Sequence, residues 1–154
     1  MHGLFFDLVH AAATASFMLI ISNLTGIIIP DSVTSIGSEA FAFCESLTSI
    51  VIPNGITMID NAVFHYCTSL TNIVIPDSVT EIKSDAFCYS GLTSIMIPTN
   101  VSDIVSSAFT GCDDLREIKV SSDNINYSSL NGVLFNKNRT TLIKYPGGKF
   151  GSWY

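Results

Sequence analysis

The stretch IPDSVTSIGSEAFAFCESLTSIV, residues 29–51, recurs as IPNGITMIDNAVFHYCTSLTNIV at 52–74, IPDSVTEIKSDAFCYSGLTSIM at 75–96 and IPTNVSDIVSSAFTGCDDLREIK at 97–119. The third copy is one residue shorter than the others. A unit this short cannot enclose a core, so neighbouring copies must stack and bury their apolar faces against one another. Within one copy, Leu47, Ile50, Ile52, Ile56, Ile59, Ala62, Phe64 and Cys67 trace the inward positions of a coil. Ser49-Ile50-Val51-Ile52 alternates, which predicts a short strand with Ile50 and Ile52 inward. Pro53 follows at once, where a residue without an N–H ends the pairing. After a turn, a second extended piece carries inward Ile56 and Ile59, and a run such as Ser38-Glu39-Ala40-Phe41 suits one helical or 3-10 turn. Stacking predicts parallel strands at about 26–29, 49–52, 72–75, 94–97 and 117–120, ~4.8 Å apart. Like side chains then form columns, Ile over Ile and Phe41 over Phe64, Phe87 and Phe109.

The chain is 47% apolar and 13% charged, which excludes a disordered polymer. Its net charge of −6 is unevenly placed. No Lys or Arg precedes Lys83, while Asp7, Asp31, Glu39, Glu45, Asp60, Asp77 and Glu81 lie before it. A front half of that sign repels phosphate backbones, so nucleic acid is not an expected partner. Residues 1–23 read as a degenerate earlier repeat or a weak signal-like segment. The apolar run Ala11 to Ile21 is too short to span a bilayer as a helix, and no Lys or Arg precedes it. Residues 24–120 form the repeat block. In 121–154 the period is lost. There Val133, Phe135, Leu142 and Tyr145 flank the polar turn Asn136-Lys137-Asn138-Arg139, which predicts a hairpin packed on the last coil and shielding its edge.

The repeat IPxxVTxIxxxAFxxCxxLTxI resembles that of the BspA-like leucine-rich-repeat proteins. The closing segment with Tyr127, Asn131-Gly132-Val133-Leu134-Phe135 and Tyr145-Pro146 resembles a unit found between repeat blocks of that family. The resemblance covers about residues 24–154. It implies a strand-rich α/β fold: a right-handed leucine-rich-repeat solenoid with about five parallel strands and short helical or 3-10 turns, closed by a C-terminal hairpin. It also implies an extracellular or cell-surface location, a role in adhesion, and further repeats in the same parent chain.

Cys44, Cys67 and Cys112 share one position of the repeat, Ser90 holds it in the third copy, and Cys88 lies two residues earlier. Same-facing thiols one coil apart are badly aimed for a disulfide, and no CxxC spacing marks a zinc site, so these read as small buried thiols filling a column. His65 lies two residues from Cys67, but a Cys–His nucleophile needs an oriented and partly exposed pair, so a catalytic role is not expected of them. Pro146-Gly147-Gly148-Lys149 lacks the spacing of a phosphate loop and reads as a turn. No catalytic, cofactor or metal residues are assigned. The binding candidate is the strand face, where Ile28, Val51, Val74, Met96 and Lys119 stand between inward isoleucines and must face out. Gly26, Ser49, Asn72, Ser94 and Glu117 form a second outward row. A contiguous exposed apolar stripe often marks a partner surface, although β-branched residues also simply suit a sheet. The outward Thr25, Thr48, Thr71 and Thr93 read as a structural column. The functional expectation is a non-enzymatic module binding a protein or glycan through this face. A structural spacer within a larger protein is the alternative, and a Cys-based enzyme has the least support.

Overall fold

The computed structural model describes residues 23–150. The segment 1–23, read as a degenerate repeat or a signal-like segment, lies outside the described residues except for Asn23. The chain is strand-rich and its units stack. β1 (Gly26–Ile28) pairs in parallel with β2 (Ser49–Val51), and Gly26, Ile27 and Ile28 meet Ser49, Ile50 and Val51, one unit further along. β3 (Met58–Ile59), β4 (Glu81–Ile82) and β6 (Asp103–Ile104) form a second parallel ladder, which aligns Ile59, Ile82 and Ile104. β5 (Ser94–Ile97) pairs in parallel with β7 (Glu117–Val120). In every pair the partner is the equivalent residue of the next copy, so each repeat is one coil laid on its neighbour.

Between the ladders the columns close into one core. Leu47, Leu70, Leu92 and Leu115 are fully buried, as are Val63, Phe64, Phe87 and Cys67. The phenylalanines stack face to face, with centroids 5.7 Å apart for Phe41 and Phe64, 5.5 Å for Phe64 and Phe87 and 5.7 Å for Phe87 and Phe109. Threonine ties the coils on the outside: Thr48 Oγ1 donates to the Thr25 carbonyl at 2.9 Å and Thr93 Oγ1 to that of Thr71 at 3.2 Å. The four cysteines are free and buried. The Cys67 thiol donates to the Phe41 carbonyl at 3.2 Å and the Cys112 thiol to that of Phe87 at 2.9 Å, so the thiol column also bonds coil to coil.

Four expectations need correction. The five outward strands do not make one continuous sheet. Residues 72–75 contribute only a single bridge, Val51 to Val74, and no ladder joins them to β5. The third copy is one residue short here, and Gly91 takes up the loss: a Cβ on it would lie 2.1 Å from the Thr68 carbonyl oxygen. The helical turns are absent from the first three coils, where linked turns run instead, and among the described residues a 3-10 turn forms only at Ser106–Phe109. Left-handed backbone at Glu39, Ala62 and Asp85, with φ of 61°, 52° and 57°, breaks the helical path. For the same reason Ala62 is not inward, and Val63 fills that place. Lastly, the closing hairpin is part of a three-stranded antiparallel sheet, β8 (Tyr127–Leu130), β9 (Val133–Asn136) and β10 (Leu142–Lys144), in the order β10-β9-β8.

This sheet packs on the last described coil. Asn131 and Gly132, at φ 51° and 77°, make the tight turn that joins β8 to β9. There the Gly132 carbonyl accepts from Ile118 N–H of β7 at 2.8 Å. The Tyr127 hydroxyl accepts from Ile104 N–H at 3.1 Å, so a side chain takes the position of the next strand of the second ladder. Asn124 is fully buried and holds the Pro98 and Val101 carbonyls at 2.8 and 3.0 Å. Pro146 to Lys149 is a turn, closed by Lys149 N–H on the Pro146 carbonyl at 3.3 Å, and Gly148 N–H bonds the Leu115 carbonyl at 2.8 Å.

Candidate functional site

The outward residues of β1, β2, β5 and β7 stand where alternation puts them. Ile28, Val51, Val74 and Met96 are 86%, 68%, 75% and 48% exposed, and the first three follow one another coil by coil through paired backbone. Lys119 ends the row, its ammonium 2.7 Å from the Glu117 carboxylate. Ser49, Asn72 and Ser94 line the neighbouring row with Gly26 and Glu117, and Ser49 and Asn72 are exposed. Where the ladder fails between Val74 and Met96, a shallow depression of about 260 Å³ opens, lined by Asn72, Val74, Ser94, Met96 and Lys119. The candidate residues are thus brought together on one face. The local cause is the strand itself: Ile50, Ile73, Ile95 and Ile118 are buried, so the residue after each must point to solvent.

A second row escaped the sequence reading. Phe43 and Tyr66 stack with centroids 5.3 Å apart and 10° between planes, and Tyr66 and Tyr89 at 4.7 Å and 19°. Phe43 and Tyr89 remain 39% and 44% exposed. His65 stands nearly perpendicular to Phe43, Tyr66 and Tyr89, with centroids 5.5, 4.7 and 6.1 Å away. The backbone explains the order. Phe43, Tyr66 and Tyr89 all lie in the left-handed region, at φ 62°, 56° and 56°. That conformation turns each N–H toward the next coil, onto the carbonyls of His65, Cys88 and Thr110 at 2.7, 2.9 and 2.9 Å. Left-handed backbone costs a residue with a Cβ roughly 1–2 kcal/mol, and an aromatic pair returns about 0.5–1.5 kcal/mol. In the fourth coil the position is Gly111, at φ 67°, with the Tyr89 ring lying over it. That glycine was the one sequence signal that the position demands left-handed backbone.

All four thiols are buried. Burial pushes the Cys44 thiol up to about 11 and raises Cys67, Cys88 and Cys112 as well. Cys67 is fully buried and its thiol faces the Phe41 carbonyl, while the His65 ring packs on the aromatic row. The left-handed Tyr66 between them sends the two side chains apart, so the pair lacks the geometry of a nucleophile and its base. Among the described residues no group of three His, Cys, Asp or Glu side chains could hold a metal ion. Among them, too, no helix is long and apolar enough to cross a membrane.

Six copies of the BspA type leucine rich repeat region match residues 13–141. The chain belongs to this family. The fold has solved counterparts. A leucine-rich repeat protein from Eubacterium ventriosum shares 27% identity at a TM-score of 0.71, over 85% of this chain and 41% of that one. The pneumococcal vaccine antigen PcpA shares 26% at 0.72, over 81% and 37%. A leucine rich cell surface protein from Faecalibacterium prausnitzii shares 33% at 0.62, over 80% and 40%. This BspA-type chain spans less than half the length of these solved relatives. No match is found among functionally curated proteins.

Proposed function

We propose that this chain is a non-enzymatic recognition module. It is a stretch of right-handed solenoid from a longer cell-surface or secreted protein, and it engages a protein or glycan partner through the strand face. The observation that carries this reading is the exposed row Ile28, Val51, Val74 and Met96, four large apolar side chains that the core has no use for. The depression beside Val74 and Met96 gives that row relief, and Asn72, Ser94 and Lys119 supply polar groups at its rim. The surface location draws on the resemblance to the cell surface protein of Faecalibacterium prausnitzii.

The double variant Val51→Lys, Val74→Lys tests it against immobilised host-matrix proteins and a glycan array. Both side chains are exposed, so the melting temperature is expected to stay within about 4 °C, two surface substitutions together being worth less than about 1 kcal/mol. Partner binding is expected to fall at least tenfold. Unchanged binding by a folded variant removes the strand face from the reading. An intact module that binds nothing in either screen returns the spacer role.

A further inference from the structure

We propose that Tyr66 and Tyr89 are an oxidative cross-linking site: one-electron oxidation of both phenols joins their rings as dityrosine and fastens the second coil to the third. This goes beyond recognition and rests on the turn side of the coils, away from the strand face. The two rings stack at 4.7 Å between centroids with 19° between planes. Their backbones are held in register by Tyr66 N–H on the Cys88 carbonyl and Tyr89 N–H on that of Thr110, both at 2.9 Å. Tyr89 is 44% exposed and Tyr66 partly so, so an electron can leave each ring at the surface and the rings have room to shift into bonding contact. Neither phenol makes a hydrogen bond to another described residue that would hold it back. The alternatives are poorer. The Tyr127 hydroxyl is engaged by Ile104 N–H and the Ser102 carbonyl, and Tyr145 is exposed with no described aromatic ring against it.

The oxidant is a peroxidase with hydrogen peroxide. Each phenol gives up one electron and one proton, and the two phenoxyl radicals pair through the ring carbons next to the oxygens. One carbon–carbon bond forms, and the hydrogen on each of those carbons moves to its phenolic oxygen as aromaticity returns. Two electrons and two protons leave the protein, and one peroxide becomes two waters.

The full chain, dilute and monomeric, is treated with a peroxidase and peroxide. The expected product is a monomer lighter by two hydrogens, fluorescent as dityrosine, whose digest joins the peptides of Tyr66 and Tyr89. Tyr66→Phe and Tyr89→Phe each keep a ring in the ladder and are expected to lower the yield at least tenfold. Circular dichroism confirms that each variant remains folded. A yield that survives either substitution overturns the proposal. So does a cross-link between two chains that grows with concentration, one that maps to Tyr145, or no cross-link in the folded native chain.

Discussion

The strand side and the turn side of each coil meet the same requirement, binding one coil to the next, with opposite backbone chemistry. On the strand side the chain is extended, and residues such as Ile27 and Ile50 simply pair along a parallel ladder. Any β-branched residue fits there, and what points outward is free to vary. On the turn side, alternate N–H groups of Glu39, Phe41 and Phe43 reach the carbonyls of Asn61, Val63 and His65 in the next coil. Aiming them that way requires left-handed backbone at Glu39 and Phe43. One side is conformationally cheap and its outward residues are optional. The other is strained and its outward residues are rings stacked on rings.

The largest expected effect breaks what the two sides share. Phe64 is fully buried and sandwiched between Phe41 and Phe87, and its N–H bonds the Ala86 carbonyl on the turn side. Phe64→Ala is expected to cost about 3–5 kcal/mol in urea unfolding. Because each coil is supported mainly by its neighbours, strand-side and turn-side amides are expected to lose hydrogen-exchange protection together. Loss confined to one side would show that the two ladders hold independently.

A smaller effect separates the sides by titration. The thiols lie under the turn side, and the outer bonds of the strand side come from threonine, which does not titrate. Burial holds the Cys44 thiol neutral up to about 11, against an ordinary value of 9.0. As pH climbs past 9 the unfolded thiol loses its proton while the folded one keeps it, so the unfolded state is favoured. Stability is therefore fully present below pH 9 and falls as pH rises toward 11, by roughly 2–3 kcal/mol from Cys44 alone. Urea midpoints over that range measure it, and Cys44→Ala is expected to make the slope shallower while the other three raised thiols keep the rest.

The strand side was legible in the sequence because its period is two. Ile50 in and Val51 out follow from alternation, and Pro30 and Pro53 mark where pairing stops. The inward Phe and Leu columns were legible from the repeat alone. The break beside Val74 was not, because a one-residue deletion at Gly91 alters the pairing of strands several residues away. The candidate strand face was likewise legible as a row of outward positions, though not the depression that opens within it. The aromatic row stayed hidden because Phe43, Tyr66 and Tyr89 are residue types that ordinarily avoid positive φ, and nothing in AFAFC, VFHYC or AFCYS announces it. Only the fourth copy, with Gly111 at the same place, carried the hint. The third strand of the closing sheet was missed because Tyr127–Leu130, YSSL, lacks a clean alternation.

The smallest expected effect bears most directly on the comparison. Phe43 occupies a left-handed position, is 39% exposed, and among the described residues its ring stacks on its neighbours in the row. Asn tolerates that backbone far better than Phe, so Phe43→Asn relieves strain of roughly 1–2 kcal/mol and forfeits ring contact worth about 0.5–1.5 kcal/mol. The two terms nearly cancel, and urea unfolding is expected to move by less than about 1 kcal/mol. A loss of 2 kcal/mol or more would make the row a second core, kept because the coils need it. A change near zero would mean that folding does not require aromatic rings at this position, which a glycine fills in the fourth coil. Their presence in three successive coils would then call for a use at the surface, as the exposed row of the strand face does.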